Sequence, residues 1–437
     1  MIPGAARSAG WSPLVAGEAA TRARAAAEAI ARDLAREEVW AALGPGLAGG
    51  LCGLALFLSY LSRALADARA GELARLLLDR AIDGLADQHA PAASLFHGFA
   101  GIAWVAEHVG PGEEEKEEEE GEQREEDEED PNAEIDAVLL ALLRQEPFQG
   151  EVDLVGGLVG WGVYALERLP RPGAAAILER VVVRLGEQAP GPSAPGAAPA
   201  AAASSPGPLD LGMALPPAPG MAGPPNVRTA GEPDLGMAHG AAGIIALLAR
   251  AQAAAPSPRT AALLASAVSG VLDRRSSAEG SEEGDLAWCA GDAGLAVALL
   301  AAGRVSARRD WESAARRLAT AAAGRYLSGG EGFDPALCHG AAGLSHLFHR
   351  LHRSTGDASL LAAARRWFER TLARWQPGQG IGGFRCRRRT GDGRFDWIPD
   401  PGFLTGSAGI GLSLLAAATP IEPAWDRLLL LSGRNEI

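Results

Sequence analysis

Apolar positions along the chain fall into two kinds of run. In the first kind, residues 71–89, 259–275 and 357–374 set Leu and Ala against charged positions at helical spacing. That pattern predicts helices with one face on a core. The second kind is almost wholly apolar: Leu54–Leu61, Ile102–Val109, Ile244–Ala249, Leu295–Ala302, Leu344–Leu351 and Ile410–Ala416. A helix apolar all round is buried on all sides. The two kinds alternate, and a Gly-x-x-Gly step starts each buried run. The steps are Gly50/Gly53, Gly98/Gly101, Gly157/Gly160, Gly240/Gly243, Gly291/Gly294, Gly340/Gly343 and Gly406/Gly409. Their first glycines are 48, 59, 83, 51, 49 and 66 residues apart. A period of roughly 50 with two helical stretches per unit is a repeat architecture. The predicted fold is all-α: an α/α toroid, a double-layered barrel of seven helix hairpins, forming a single domain over residues 1–437. Small residues at the steps let inner helices crowd together, with their N-termini open toward one end.

Two insertions stretch the period. Residues 111–131 lie between Pro111 and Pro131, and their stretch 113–130 holds fourteen Asp and Glu against Lys116 and Arg124. Like charges at that density repel and have nothing apolar to bury, so a disordered insertion is expected. Residues 189–225, rich in Pro, Ala, Gly and Ser, read as a flexible or polyproline-like loop. Within it, Asp210–Ala214 duplicates Asp234–Ala238, but only the second copy runs on into His-Gly.

The chain carries 40 basic and 54 acidic residues, a formal −14, of which residues 113–130 supply −12. That balance argues against nucleic acid as a partner, because phosphate binding needs clustered positive charge. The cationic exception is Arg385, Arg387, Arg388, Arg389 and Arg394, which read as a solvated turn or as a positive lip for an acidic or phosphorylated peptide. Four cysteines in 437 residues exclude a disulfide scaffold. No apolar run reaches the roughly 18 residues of a membrane span, and the N-terminus lacks the pattern of a signal peptide. A cytoplasmic protein with reduced thiols is expected.

The repeat register shows which side chains share one end of the barrel. Two positions before each first glycine stand Ala48, Phe96, Val155, Ala238, Cys289, Cys338 and Leu404. One position before stand Gly49, His97, Gly156, His239, Ala290, His339 and Thr405. Cys289, Cys338 and His339 therefore converge from adjacent repeats. Two thiolates and an imidazole are zinc ligands by type, and three protein ligands leave a fourth position for water or substrate. The competing reading is two small buried cysteines and a core histidine. His239 holds the matching slot one repeat earlier, where an imidazole can serve as acid or base or simply as a structural group. Asp153 can orient His239 or a substrate group, or cap a helix. His97 reads as structural, Cys52 as a small buried residue and Cys386 as a surface thiol. His346, His349 and His352 share a helical face, where a structural role outweighs a second metal site.

These residues resemble the lanthionine synthetase C-like family, the lantibiotic cyclases. The resemblance rests on GMAHGAAG at 236–243, LAWCAGDAG at 286–294, ALCHGAAG at 336–343 and FLTGSAGIGLSLL at 403–415. It implies one zinc held by Cys289, Cys338 and His339, a general acid/base at His239 and a supporting carboxylate at Asp153. The implied reaction adds a peptide Cys thiolate to dehydroalanine or dehydrobutyrine, forming a thioether ring. The implied partners are a dehydrated precursor peptide, a separate dehydratase and an exporter. Two positions depart from the family pattern: Asp285 and Ala290 stand where Arg and Tyr are usual. They leave open a catalytically altered or non-catalytic peptide-binding member, beside an enzyme adding glutathione-type thiols to dehydrated proteins.

Overall fold

Each Gly-x-x-Gly step starts a helix. A computed structural model describes residues 10–86, 88–110, 130–188, 234–277, 286–325, 333–389 and 394–434. The acidic stretch 113–129, the segment 189–225 and Asp285 lie outside the described residues. The buried helices are Leu51–Leu65, Phe99–Val109, Leu158–Arg168, Ala241–Ala254, Asp292–Val305, Ala341–Thr355 and Ser407–Ala418. The first glycine of each step is the extended residue immediately before its helix, as at Gly240 with φ −127°. The loop before it folds back so that a carbonyl caps the first helical amide. Phe99 N–H donates to Ala92 O at 2.9 Å, Ala241 to Asp234 O at 2.9 Å and Ser407 to Asp400 O at 2.8 Å. One of the amides that a helix N-terminus leaves unsatisfied is met in this way.

In repeats two to seven the second glycine is required by close approach. A Cβ at Gly343 would stand 1.7 Å from Leu337 O, and one at Gly409 would stand 1.9 Å from Phe403 O. The loop carbonyl sits where any larger residue would place its side chain. The amphipathic partners among the described residues are Gly17–Leu34, Ala68–Ala86, Ala133–Leu143, Pro172–Glu187, Pro258–Ser277, Arg309–Gly324 and Ala358–Ala373. Three of them overlap the expected segments 71–89, 259–275 and 357–374, and the buried helices cover the expected apolar runs.

The chain divides into two compact units. One comprises Met1–Gly44, Ala48–Arg80 and Ala319–Ile437; the other comprises Pro45–Leu47 and Ala81–Leu318. In the second unit, the loops of successive repeats are tied by backbone hydrogen bonds. Leu47 N–H donates to Phe96 O at 3.0 Å, Leu154 to Ala238 O at 3.1 Å and Ala238 to Cys289 O at 3.0 Å. In the first unit, Cys338 N–H donates to Leu404 O at 2.8 Å and Leu404 to Ala48 O at 3.0 Å. Within each unit, the position two before a first glycine is thus a rung between the loops of successive repeats.

The first unit adds a feature absent from the helical pattern. Cys386–Arg389 and Phe395–Ile398 form an antiparallel hairpin, with Arg387 opposite Trp397 and Arg389 opposite Phe395. Among the described residues, no helix is long and apolar enough to cross a membrane.

Candidate functional site

In the second unit, the step loops of repeats three and four bring Asp153 to His239. The imidazole Nδ1 is hydrogen-bonded to Asp153 Oδ2. Asp153 is almost fully buried, whereas the His239 side chain is 33% exposed. The other carboxylate oxygen, Oδ1, accepts the Gly156 N–H at 2.8 Å. Asp153 therefore partners the histidine and ties a loop amide, rather than capping the helix, whose N-cap is Gly157 with no side-chain cap. Burial pulls His239 toward its neutral form. The hydrogen bond and charge of Asp153, reinforced by Asp234 and Cys289, outweigh burial and raise its pKa above the ordinary histidine value. Cys289 belongs to the same neighbourhood. A Cβ on Gly236 would stand 2.2 Å from Cys289 O, so the loop carrying His239 lies directly against the loop carrying Cys289.

In the first unit, Cys338 is buried at 6% exposure. His339 follows it, with Nε2 3.5 Å from Asp334 Oδ2. Asp334 is buried and held on both oxygens: Ala336 N–H donates to Oδ1 at 2.8 Å and Arg387 N–H donates to Oδ2 at 2.8 Å. A carboxylate behind a histidine fixes ring orientation and raises basicity, as behind zinc-bound histidines.

By donor chemistry, the two thiols and the carboxylate-backed imidazole suit zinc. Among the described residues, no group of three or more His, Cys, Asp or Glu side chains is gathered as a metal-holding cluster. All four cysteines are thiols rather than disulfides.

The remaining sequence candidates have structural employment. Burial raises the Cys52 thiol pKa. Burial lowers the pKa of His97. His346 Nε2 is 2.7 Å from Asp426 Oδ2, His349 packs edge-on against Trp11, and His352 Nδ1 meets Asp357 O at 2.8 Å. Cys386 corrects an expectation. It is not a surface thiol but 2% exposed. Burial, with Asp334 and Asp400 nearby, pushes its pKa well above the usual thiol value. The hairpin explains this, because pairing two strands turns Cys386 inward while its flanking arginines turn out.

One regularity lies outside the two register positions that carry the cysteines and histidines. Six positions before the first glycine, repeats four to seven all carry aspartate: Asp234, Asp285, Asp334 and Asp400. Three lie among the described residues and do the same work. Oδ1 accepts a loop amide from Gly236 at 2.6 Å, Ala336 at 2.8 Å and Gly402 at 2.9 Å. The recurrence is a sequence signal in its own right, upstream of the position that holds Cys289 and Cys338.

The fold is similar to that of a solved structure, nisin cyclase, with a TM-score of 0.62. The match covers 88% of this chain and 92% of that one at 18% sequence identity. It assigns the chain to the α/α toroid class, as the repeat period predicted. The lanthionine synthetase C-like protein family matches residues 41–430, and the chain belongs to that family. No curated protein sequence matches at a significant level.

Proposed function

We propose that the chain is a zinc-dependent cyclase that adds cysteine thiolates of a dehydrated peptide to dehydroalanine or dehydrobutyrine, forming lanthionine-type thioether rings. Family membership supports the reading, and the observation that carries it is the Asp153–His239 pair beside Cys289. Cys289, Cys338 and His339 would hold the metal. Zinc, when bound, would strip the proton from a substrate thiol whose pKa is otherwise near 8.5.

The protein's own residues supply the rest. Addition forms one S–C bond, breaks the alkene π bond and leaves negative charge as an enolate. A proton must then reach the α-carbon. Asp153 engages Nδ1 of His239 and favours the imidazolium, which leaves Nε2 as the nitrogen that delivers the proton. No electrons are gained or lost overall: the thiol proton leaves sulfur and an equivalent proton ends on carbon. Buried Asp334 holds His339 in orientation from behind.

The test uses purified full-length protein and a dehydrated peptide with free cysteines. Cyclisation does not change peptide mass, so the readout is the number of thiols that remain open to alkylation. The expected result is one alkylatable thiol lost per ring, with about one zinc per chain that Cys338→Ala removes. Metal-free protein as purified, together with undiminished thiols, would sink the reading.

A further inference from the structure

We infer that the arginine-bearing face of the Cys386–Ile398 hairpin docks an acidic stretch of the peptide substrate beside the Cys338–His339 corner. The identity of the ligand as substrate rests on the function proposed above. The surface itself rests on the hairpin.

Strand register puts Arg387, Phe395 and Trp397 on one face and Cys386, Arg388, Asp396 and Ile398 on the other. The second face is the anchor. Cys386 is buried, and Arg388 is bound to Asp400 and stands 3.3 Å from Thr405 Oγ1. The first face is built differently. The Arg387 guanidinium lies 4.1 Å from the Phe395 ring centroid, and that of Arg374 lies 4.8 Å from the Trp397 centroid. Arg385, Arg387 and Arg394 are exposed. A guanidinium stacked by its plane on an aromatic ring loses rotational freedom but keeps its N–H edge, the edge that fits a carboxylate bidentately. The hairpin is therefore an ordered cationic face, with Arg387 held on a ring as an anion fork, rather than a loose turn.

Its position links it to the candidate site. The backbone N–H of Arg387 donates to Asp334, whose same oxygen, Oδ2, is 3.5 Å from His339 Nε2. A chain lying on this face is one carboxylate away from the Cys338–His339 corner. Charge selects the partner. Residues 385–398 carry five arginines against Asp392 and Asp396 in a protein whose total is −14. The local sign attracts an acidic peptide, while the total disfavours nucleic acid.

The test measures binding, not turnover. A fluorescently labelled short Glu/Asp peptide is titrated with the full chain by anisotropy, against its Gln/Asn counterpart. The expected result is binding that weakens with salt, is absent for the amide peptide, and falls roughly tenfold or more in Arg385→Glu/Arg387→Glu. The double variant should keep its zinc content and its thiol loss with a dehydrated peptide that lacks acidic residues. Equal binding by the double variant, equal binding of the amide peptide, or tighter binding of an RNA oligonucleotide of equal charge each overturns the proposal. Should the double variant unfold on heating earlier than the parent, Arg385→Gln/Arg387→Gln and the salt series on the parent decide the matter by the same criteria. Arg-dependent peptide binding by a protein that proves zinc-free would instead retire the cyclase reading and leave the docking face standing.

Discussion

At the scale of single residues, the site is a question of where protons sit. His239 has its folded pKa raised, so its pair with Asp153 stabilises the fold fully below the ordinary histidine value near 6.5 and loses that contribution as pH rises through the raised value. The imidazolium proposed above as the proton donor disappears over the same interval. Asp153→Asn removes the charge but leaves an amide of similar shape. The expected outcome is a lower His239 pKa in an NMR titration, with the alkaline fall in cyclisation displaced to lower pH. His239→Ala should slow thiol loss by roughly 10²- to 10⁴-fold with zinc content unchanged. Asp334→Asn should behave in the opposite way. Its defect belongs to metal retention, about 10- to 100-fold weaker in competition with a chelator. The Asp153–His239 pair was legible in the sequence, because a repeat register converts linear positions into neighbours. Asp334 was not, although aspartates recur at its position. Its importance comes from the hairpin amide and imidazole that meet it, and neither contact has a linear signature.

At the scale of elements, the glycine steps and the hairpin contrast. The steps were readable because the backbone demands them: a loop carbonyl occupies the volume of the missing side chain. Gly343→Ala should therefore cost about 3 kcal/mol in chemical denaturation, the upper range for forcing atoms into a filled site. An alanine at Gly49, where a Cβ would meet nothing within 4 Å, should cost little. The hairpin went unread because arginine-rich strands lack the apolar alternation that announces a strand. It is set by Cys386 and Ile398 facing inward and by aromatic rings under the guanidiniums. The thiols give a direct check. Cys289, only partly buried, should react with a small alkylating agent in the folded, chelator-treated protein, whereas Cys386 should react only after unfolding. Early modification of Cys386 would show that the hairpin is not the rigid element described.

At the scale of the whole molecule, the repeat signal predicted the toroid class but not how the segments around Trp11 and Asp426 are held. Trp11 donates its indole N–H to Ala416 O at 2.7 Å. Its ring lies beneath the Arg350 guanidinium at 4.6 Å. Arg350 Nε and His346 Nε2 both reach the Oδ2 of Asp426, at 2.6 and 2.7 Å, while Ser432 binds its Oδ1. One buried carboxylate thus ties the N-terminal segment, the sixth buried helix and the C-terminal segment within the first unit. Burial alone would push the Asp426 carboxyl upward. The Arg350 charge and the His346 hydrogen bond more than reverse it, and the carboxyl is held well below the usual range. A depressed folded pKa contributes stability that is fully present above the unfolded value near 3.9 and is lost as pH falls from there through the folded one. Asp426→Asn keeps the shape but leaves the largely enclosed Arg350 with Glu422, itself half-exposed, as its remaining counter-charge, at a cost of about 3 kcal/mol. Urea denaturation at neutral pH should show that difference in full. Below the unfolded value the gap should narrow progressively, because the unfolded parent takes up a proton that its folded carboxylate resists, and it closes as pH falls through the folded value. A variant as stable as the parent at neutral pH would mean that these segments are held by the Trp11 packing rather than by the charge.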